Sequence, residues 1–312
     1  MTRLGFVLPT LLFAGALLVA VLLVWAATWL ARRLRPPAPP PDPGVSWILP
    51  PDPALPGIAA DPVELGDLLV RAASVTGTAW RQQEPTHPRR DAYRLAVDPR
   101  REHLVVAVAD GSAGGRAGMG GHLAATTVVN DLCRRLDQGT PLDQLVAADV
   151  YSSVAQSVVE GAQRRGIPIG AIYTTLLTMI IPAYPQPDGR RVAWLAHLGH
   201  STAWLSLGDR WQHLGGELDS GTSVLLPFHP EQAVAALVDL PRRAVVALTT
   251  DGVARGLVGS GQRRTAEAWR EPMPITSFLL DVGHLALDGA GNVFAQRLTD
   301  DRTAVVIWCG AA

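Results

Sequence analysis

The chain has 312 residues, which is enough for one large domain with additional segments or for two ordinary domains. Its 27 Lys and Arg residues nearly balance 28 Asp and Glu residues, and the formal net charge is −1. A surface that binds nucleic acid is normally strongly basic, so this balance argues against a nucleic-acid partner. The two cysteines, Cys133 and Cys309, lie far apart without CxxC spacing, which favours a reducing compartment and excludes a zinc site built from cysteines alone.

The first predicted element is a membrane-spanning helix. No charged residue occurs from Leu4 to Leu30, and about 20 apolar residues suffice to cross the hydrocarbon core. A secretory signal has a shorter apolar region of about 7–15 residues, so the pattern favours a retained anchor, with export after cleavage as the alternative. Arg32, Arg33 and Arg35 follow the span and only Arg3 precedes it. This asymmetry predicts a single-pass protein of the cell membrane with a cytoplasmic C-terminal domain.

A proline-rich linker is predicted between the anchor with its basic flank, residues 1–35, and a folded domain, residues 62–312. The linker covers residues 36–61 and contains the run PPAPPPDPGVSWILPPDPALP. Proline at this density prevents helices and central strands and favours an extended, semi-rigid spacer. A polyproline-type recognition motif is the alternative interpretation.

Apolar runs in the C-terminal part predict several buried strands. They cover residues 92–97, 103–109, 174–182, 191–198, 202–207, 243–250 and 303–309. The short turn Gly199-His200-Ser201 predicts that the strands on either side of it form a hairpin. Apolar residues at helical spacing predict helices over residues 122–136 and 142–164. This order is not a regular βαβα alternation, and it predicts an α+β layered sandwich with antiparallel sheets.

Acidic residues fall at the ends of these predicted strands. Asp110 and Asp251 each end an apolar run, whereas Asp91 and the pair Asp300-Asp301 stand at the heads of two others. Carboxylates at such positions lower stability unless a cation or good hydrogen bonds compensate them. Strand ends at one edge of a sandwich can converge, and converging carboxylates suit a hard cation such as Mg²⁺ or Mn²⁺.

Glycine follows two of these carboxylates. Gly111 and Gly252 predict a tight turn, or a close approach of backbone or ligand, after Asp110 and Asp251. Asp-Gly is also an ordinary turn dipeptide. The metal prediction therefore depends on the ordered set of carboxylates and not on either dipeptide by itself.

Five blocks, taken in order, resemble the metal-dependent serine/threonine protein phosphatases of type 2C. The blocks are Val108-Ala109-Asp110-Gly111 with the glycines after it, Thr174-Thr175-Leu176, Ala196-His197-Leu198-Gly199-His200-Ser201, Thr250-Asp251-Gly252-Val253 and Asp300-Asp301-Arg302-Thr303. They are similar to the family's DGxGG, GTT, VGDSR, SDGL and DNxTVVV blocks. The resemblance implies a divergent, bacterial-like member with a four-layer α/β/β/α sandwich, in which helices flank two antiparallel sheets, and with two ions of Mn²⁺ or Mg²⁺.

The resemblance also implies roles for individual residues. Asp110 would bridge both ions, the carbonyl of Gly111 would help to hold one, and Asp251 and Asp300 would hold the other. Asp91 matches the acidic position of the family's early NEDA block and belongs to the metal-binding set that the resemblance implies. Asp110 and Asp251 are then the predicted catalytic residues, and phosphoserine or phosphothreonine in a protein substrate would be hydrolysed by a metal-activated water.

Three departures from the family pattern fall in these blocks. Arg90 stands where the family has Glu, Arg89 where it has Asn, and His200 where the hairpin block has Asp. These changes make the site less acidic. They support a second hypothesis, a catalytically weak or inactive phosphatase-fold module that binds a phosphoprotein or a regulatory partner at the membrane. The phosphate-binding arginine is left open among Arg81, Arg89 and Arg90, and the scattered histidines, His200 included, are predicted to be structural.

Overall fold

The structure is a computed structural model of the chain, and it describes residues 57–77, 88–111, 119–218, 225–258, 261–280 and 300–310. All of these residues belong to one compact unit, residues 49–312. The predicted anchor at residues 4–30 and most of the predicted linker lie outside the described residues. Within the described ranges, no helix is long and apolar enough to cross a membrane.

The described residues form eleven strands in two antiparallel sheets. The strands are β1 Ile58–Leu65, β2 Leu68–Val75, β3 Ala92–Val97, β4 His103–Ala109, β5 Leu176–Pro182, β6 Arg191–Leu198, β7 Thr202–Ser206, β8 Trp211–Gly215, β9 Val234–Leu240, β10 Val245–Thr249 and β11 Arg302–Cys309. One sheet has the strand order β1-β2-β11-β10-β7-β8, and the other has the order β3-β4-β5-β6-β9.

Helices cover the outer face of each sheet. They are α1 Met119–Asp137, α2 Ala147–Arg164, α3 Asp251–Ala254, α4 Gly261–Ala268 and α5 Ile275–Leu280. The first two pack on the five-stranded sheet, and the other three contribute to the core on the six-stranded sheet. The predicted α+β sandwich with two antiparallel sheets and flanking helices is therefore confirmed.

Strand β4 shows why these strands are continuous apolar runs. Leu104, Val106 and Val108 contribute to the core between the two sheets, whereas Val105 and Ala107 contribute to the core under α1 and α2. Side chains alternate between the two faces of a strand, and both faces are covered here. A strand buried on both sides needs apolar residues at every position, which is the pattern that the sequence shows.

The folded domain begins earlier than predicted. Strand β1 starts at Ile58, whereas the boundary was placed at residue 62 because of the proline-rich run. Pro62 lies within β1, which is the edge strand of its sheet and pairs with β2. Proline is tolerated on an edge strand because one side of that strand needs no ladder donor.

The predicted hairpin over residues 191–207 is wrong. Strand β6 pairs with β5 and β9, whereas β7 pairs with β8 and β10 in the other sheet. The turn between them, with Gly199 at a φ of 83°, carries the chain from one sheet to the other. Turn length identifies two neighbouring strands, but it does not determine which partners complete their hydrogen bonds.

The predicted helix over residues 142–164 is interrupted near its start. A 3-10 turn covers Leu142–Gln144, and α2 begins only at Ala147. Val146 precedes α2 in an extended conformation, with φ −93° and ψ 117°. Extended backbone suits a β-branched residue, which loses side-chain freedom in a helix.

Candidate active site

Four strand ends bring the predicted acidic residues to one end of the sandwich. In the five-stranded sheet, Ala92 pairs with Ala109, which places Asp91 beside Asp110. In the six-stranded sheet, Thr249 pairs with Ala304, which places Asp251 near the start of β11. Hydrogen bonds between the two sheets then connect the start of β3 with the residues that follow β10 and precede β11. The structure therefore gathers the predicted Asp91, Asp110, Asp251 and Asp300, as the sequence pattern requires.

Two buried carboxylates join the sheets beneath this site. Asp301 accepts hydrogen bonds from the backbone N–H groups of Gly77, at 2.8 Å, and Arg90, at 2.6 Å. Asp91 accepts a hydrogen bond of 2.7 Å from the hydroxyl of Thr250, which in turn accepts one from the N–H of Thr303. Both aspartates are 2% exposed. They fix the floor of the site by tying the start of β3 to the end of β10 and the start of β11.

A second group of ligand atoms lies closer to solvent. One oxygen each of Asp110 and Asp251 and one nitrogen of His200 all lie within 4.8 Å of one another. Nδ1 of His200 is 3.7 Å from Oδ2 of Asp110, and the two side chains are 20% and 19% exposed. Neither Asp91 nor Asp300 belongs to this compact group within the described part of the chain.

The backbone of Asp110 is fixed by two threonines at the head of β5. Its N–H donates to Oγ1 of Thr175 at 3.0 Å, and its carbonyl accepts from Oγ1 of Thr174 at 3.0 Å. The N–H of Thr175 also donates to that carbonyl at 2.9 Å. With both backbone groups satisfied, the side chain of Asp110 is held in a defined position beyond the end of β4.

The two glycines that follow the aspartates are required by close backbone approach. A Cβ atom at Gly111 would lie 2.8 Å from the carbonyl oxygen of Arg90, and one at Gly252 would overlap the carbonyl oxygen of Asp301. Real Cβ contacts are essentially never this short, so neither position accepts a side chain without movement of the backbone. The prediction that these glycines serve a close approach is confirmed.

Crowded negative charge distinguishes this site electrostatically. Burial raises the pKa of Asp91 well above its usual range, and the neighbouring charges of Asp301, Asp300 and Asp251 add to the effect. The pKa of Asp110 is raised in the same way, first by burial and then by Asp91 and Asp251. Carboxylates that repel one another in a partly buried site are stabilised by a bound cation. The oxygen donors and their charge therefore fit Mg²⁺ or Mn²⁺.

Arg90 places one positive charge inside this acidic group. Its Nη2 donates to Oδ1 of Asp300 at 2.9 Å, and its side chain is 5% exposed. The predicted metal ligand Asp300 is thus already paired with a cation from the chain. A metal ion that takes Asp300 as a ligand has to compete with this ion pair.

Arg89 has a structural position. It is buried, and its Nη1 donates to the carbonyl of Asp91 at 2.9 Å. The carbonyl of Arg89 lies 3.1 Å from Nε2 of His122, whose pKa is lowered to about 3 by burial and by the charge of Arg89. Arg81, the other candidate for a phosphate-binding residue, lies outside the described residues.

Sequence reasoning missed three contributors to this site. It gave Asp301 no role, it treated His200 as structural, and it did not single out Thr250 as a partner of Asp91. The available signals were the Asp300-Asp301 doublet and the position of Thr250 directly before Asp251. His200 could have been recognised from its place in a block whose family counterpart is acidic.

Comparisons with known proteins agree with this geometry. Residues 80–279 match the model of a family described as Protein phosphatase 2C. No curated protein sequence matches the chain.

Solved structures with a similar fold include bacterial serine/threonine phosphatases. The serine/threonine phosphatase PstP/Ppp of Mycobacterium tuberculosis is 14% identical, with a TM-score of 0.50 over 78% of this chain and 98% of that chain. PppA of Pseudomonas aeruginosa is 16% identical, with a TM-score of 0.50 over 79% and 99%. The S. agalactiae serine/threonine phosphatase is 13% identical, with a TM-score of 0.50 over 78% and 99%. At these identities the likeness shows the fold alone.

Proposed function

The chain belongs to the protein phosphatase 2C family of metal-dependent serine/threonine phosphatases, and we propose that its own active site is the group of carboxylates around Asp110 and Asp251. The observation that carries this proposal is the convergence of four strand ends, which crowds buried carboxylates until the pKa values of Asp91 and Asp110 are raised. Family members use Mg²⁺ or Mn²⁺. The substrate class is phosphoserine or phosphothreonine in proteins.

Individual residues have distinct proposed tasks. Asp110 and Asp251, with the carbonyl of Gly111, would hold the ions, and Asp300 would join them when it leaves Arg90. Such ions, when bound, lower the pKa of water and stabilise negative charge on a phosphoryl group. Asp91 lies beneath these ligands, and the hydroxyl of Thr250 orients its carboxyl group.

The direct test is dephosphorylation of a phosphoserine or phosphothreonine peptide by the full chain with and without Mn²⁺. We expect turnover that depends on Mn²⁺ and is lost on chelation. Asp251→Asn should abolish it, and Asp239→Asn, an exposed residue of β9, is the matched control that should not. Turnover that persists without divalent ions, or in Asp251→Asn, would contradict the assignment.

The ion pair between Arg90 and Asp300 favours one alternative, a phosphatase-fold module with little or no activity. Such a module would bind a phosphoprotein or a regulatory partner at the membrane without hydrolysis. Calorimetric titrations with Mn²⁺ and with a phosphopeptide, read together with the turnover assay, separate the two functions. Stoichiometric binding of two ions with turnover supports the enzyme. Binding of the phosphopeptide without turnover supports the module.

We also propose that the domain is attached to the cell membrane by residues 4–30 and faces the cytoplasm. Support comes from the uncharged run of the sequence and from Arg32, Arg33 and Arg35 directly after it. The proline-rich segment would then serve as a spacer, and substrates would be phosphoproteins near the membrane. Reporter fusions at the C-terminus would test the topology, and a reporter active only outside the cytoplasm would contradict it.

A further inference from the structure

We propose that His200 is a ligand of the metal site and that its imidazole nitrogen makes this site prefer Mn²⁺ over Mg²⁺. This inference rests on the proposed metal-dependent function and adds a nitrogen donor at a position where the resembling family block has a carboxylate. Three observations support it: the anchoring of the turn that carries His200, the surroundings of its Nδ1 atom, and the chemistry of the resulting ligand set.

The turn that carries His200 is tied to the same residue that positions Asp110. Oγ of Ser201 shares a hydrogen bond of 2.6 Å with Oγ1 of Thr175, and that oxygen also accepts the N–H of Asp110 at 3.0 Å. Ser201 and Thr175 are both buried. Because the chain crosses here between sheets, His200 is held at the junction where the ends of β4 and β10 meet.

The Nδ1 atom of His200 is buried and has no hydrogen-bond partner among the described residues. A buried polar atom without a partner lowers stability, because the hydrogen bond that it made with water in the unfolded chain is not replaced. Its distance of 3.7 Å from Oδ2 of Asp110 is too long for a hydrogen bond. The two atoms can still both bind one shared ion at about 2.1 Å from each, because 3.7 Å is shorter than twice that bond length. One oxygen each of Asp110 and Asp251 and one ring nitrogen of His200 lie within 4.8 Å of one another, and Asp251 completes the set.

Ligand chemistry then determines the preferred ion. Mg²⁺ is bound by oxygen ligands and water, whereas imidazole suits transition-metal ions, and affinity for mixed nitrogen and oxygen sites follows the Irving–Williams order. A nitrogen ligand at His200 therefore weakens Mg²⁺ binding more than Mn²⁺ binding.

Pulsed electron paramagnetic resonance of Mn²⁺ bound to the full chain tests this directly, since it detects a nitrogen nucleus in the coordination sphere. We expect nitrogen coupling in the wild type and its loss in His200→Asp, with His229→Asn as a control at an exposed histidine. His200→Asp should also lower the Mg²⁺ concentration needed to displace half of the Mn²⁺ by at least about tenfold. His200→Gln serves as a second, uncharged variant, and thermal melting confirms that each variant is folded.

The outcomes separate this inference from the function on which it rests. Mn²⁺ that binds without nitrogen coupling would show that His200 is not a ligand and would overturn the inference. Coupling that survives His200→Asp would arise elsewhere, for example at His103 in the group with Asp98 and Glu102, and would also overturn the inference. Failure of the wild type to bind Mn²⁺ at all would overturn the proposed metal-dependent function itself.

Discussion

Asp91 and Asp98 lie at opposite ends of the same strand, β3, and each is 2% exposed. Oδ1 of Asp98 accepts hydrogen bonds of 2.7 Å from the N–H groups of Glu102 and His103 in the β3–β4 turn. Asp91 accepts one hydroxyl bond from Thr250 and otherwise faces the charges of other aspartates. Equal burial therefore accompanies opposite roles. The structural carboxylate accepts hydrogen bonds from its own turn through one oxygen, whereas the carboxylate of the functional site lies among like charges.

Removing one carboxylate charge at each end of β3 should produce the largest difference in turnover between two variants. Asp110→Asn should lower Mn²⁺-dependent turnover at least about 100-fold, because a site of this kind supplies several kcal/mol of charge stabilisation to a transition state. Asp98→Asn keeps the shape of the side chain at the other end and should leave turnover within about twofold of the wild type. The measurement is steady-state hydrolysis of a phosphopeptide by both variants. Equal losses in the two variants would remove the functional distinction between the ends.

A glycine substitution tests whether close approach of the backbone builds the site. Gly252→Ala should shift Asp251 away from Asp301, destabilise the chain by about 1–3 kcal/mol and lower turnover. Gly170→Ala is the control, because its Cβ would meet only the hydroxyl of Tyr173 at 3.7 Å. Thermal melting and turnover are measured together. A Gly252→Ala variant as stable and active as Gly170→Ala would show that the site does not depend on the close approach of Gly252 to the carbonyl of Asp301.

Substitution of Asp98, at the end of β3 away from the active site, should change stability without changing metal binding. Asp98→Ala leaves the N–H groups of Glu102 and His103 without their acceptor, which should lower the free energy of unfolding by about 1–3 kcal/mol. Mn²⁺ affinity at the other end should not change. Chemical denaturation gives the first quantity and calorimetry the second. A loss of Mn²⁺ binding in this variant would mean that the two ends are coupled.

The smallest expected effect is a pH-dependent change in the stability of the metal-free chain when Asp110 is replaced. The pKa of Asp110 is raised in the folded state, so its contribution to stability is fully present below the usual carboxylate pKa of about 4 and is lost as pH rises through the raised value. Asp110→Asn should therefore stabilise the metal-free chain at neutral pH by about 1 kcal/mol, or about 2–4 °C. Melting temperatures of both proteins at several pH values test this, with Mn²⁺ added afterwards. A difference in melting temperature between the two proteins that does not change with pH would contradict the expected repulsion between Asp110 and its acidic neighbours.

The sequence predicted the strands better than their pairing. The bounds of β4 and β6 follow from continuous apolar runs, because burial on both faces leaves a strong local signal. Strand β9 was not predicted, although its sequence VAALVDL is largely apolar; it lies mostly exposed at the edge of its sheet. The pairing of β6 and β7 with different sheets depends on distant partners, and short-range patterns carry no information about those.

The site shows the same division between local and distant information. Asp91, Asp110 and Asp251 were found because each lies at the end of an apolar run, which is a local property. The function of Asp301 was not found, because its donors Gly77 and Arg90 lie more than 200 residues away in the sequence. The short distance between His200 and Asp110 likewise arises only when the chain crosses between the sheets.

The central claim is that the group of carboxylates around Asp110 and Asp251 binds divalent cations. Calorimetric titration of the full chain with Mn²⁺, in the wild type and in Asp110→Asn and Asp98→Asn, tests it most directly. We predict saturable binding in the wild type and in Asp98→Asn and its loss in Asp110→Asn. Binding that is absent from the wild type, or equal in all three proteins, would contradict the account.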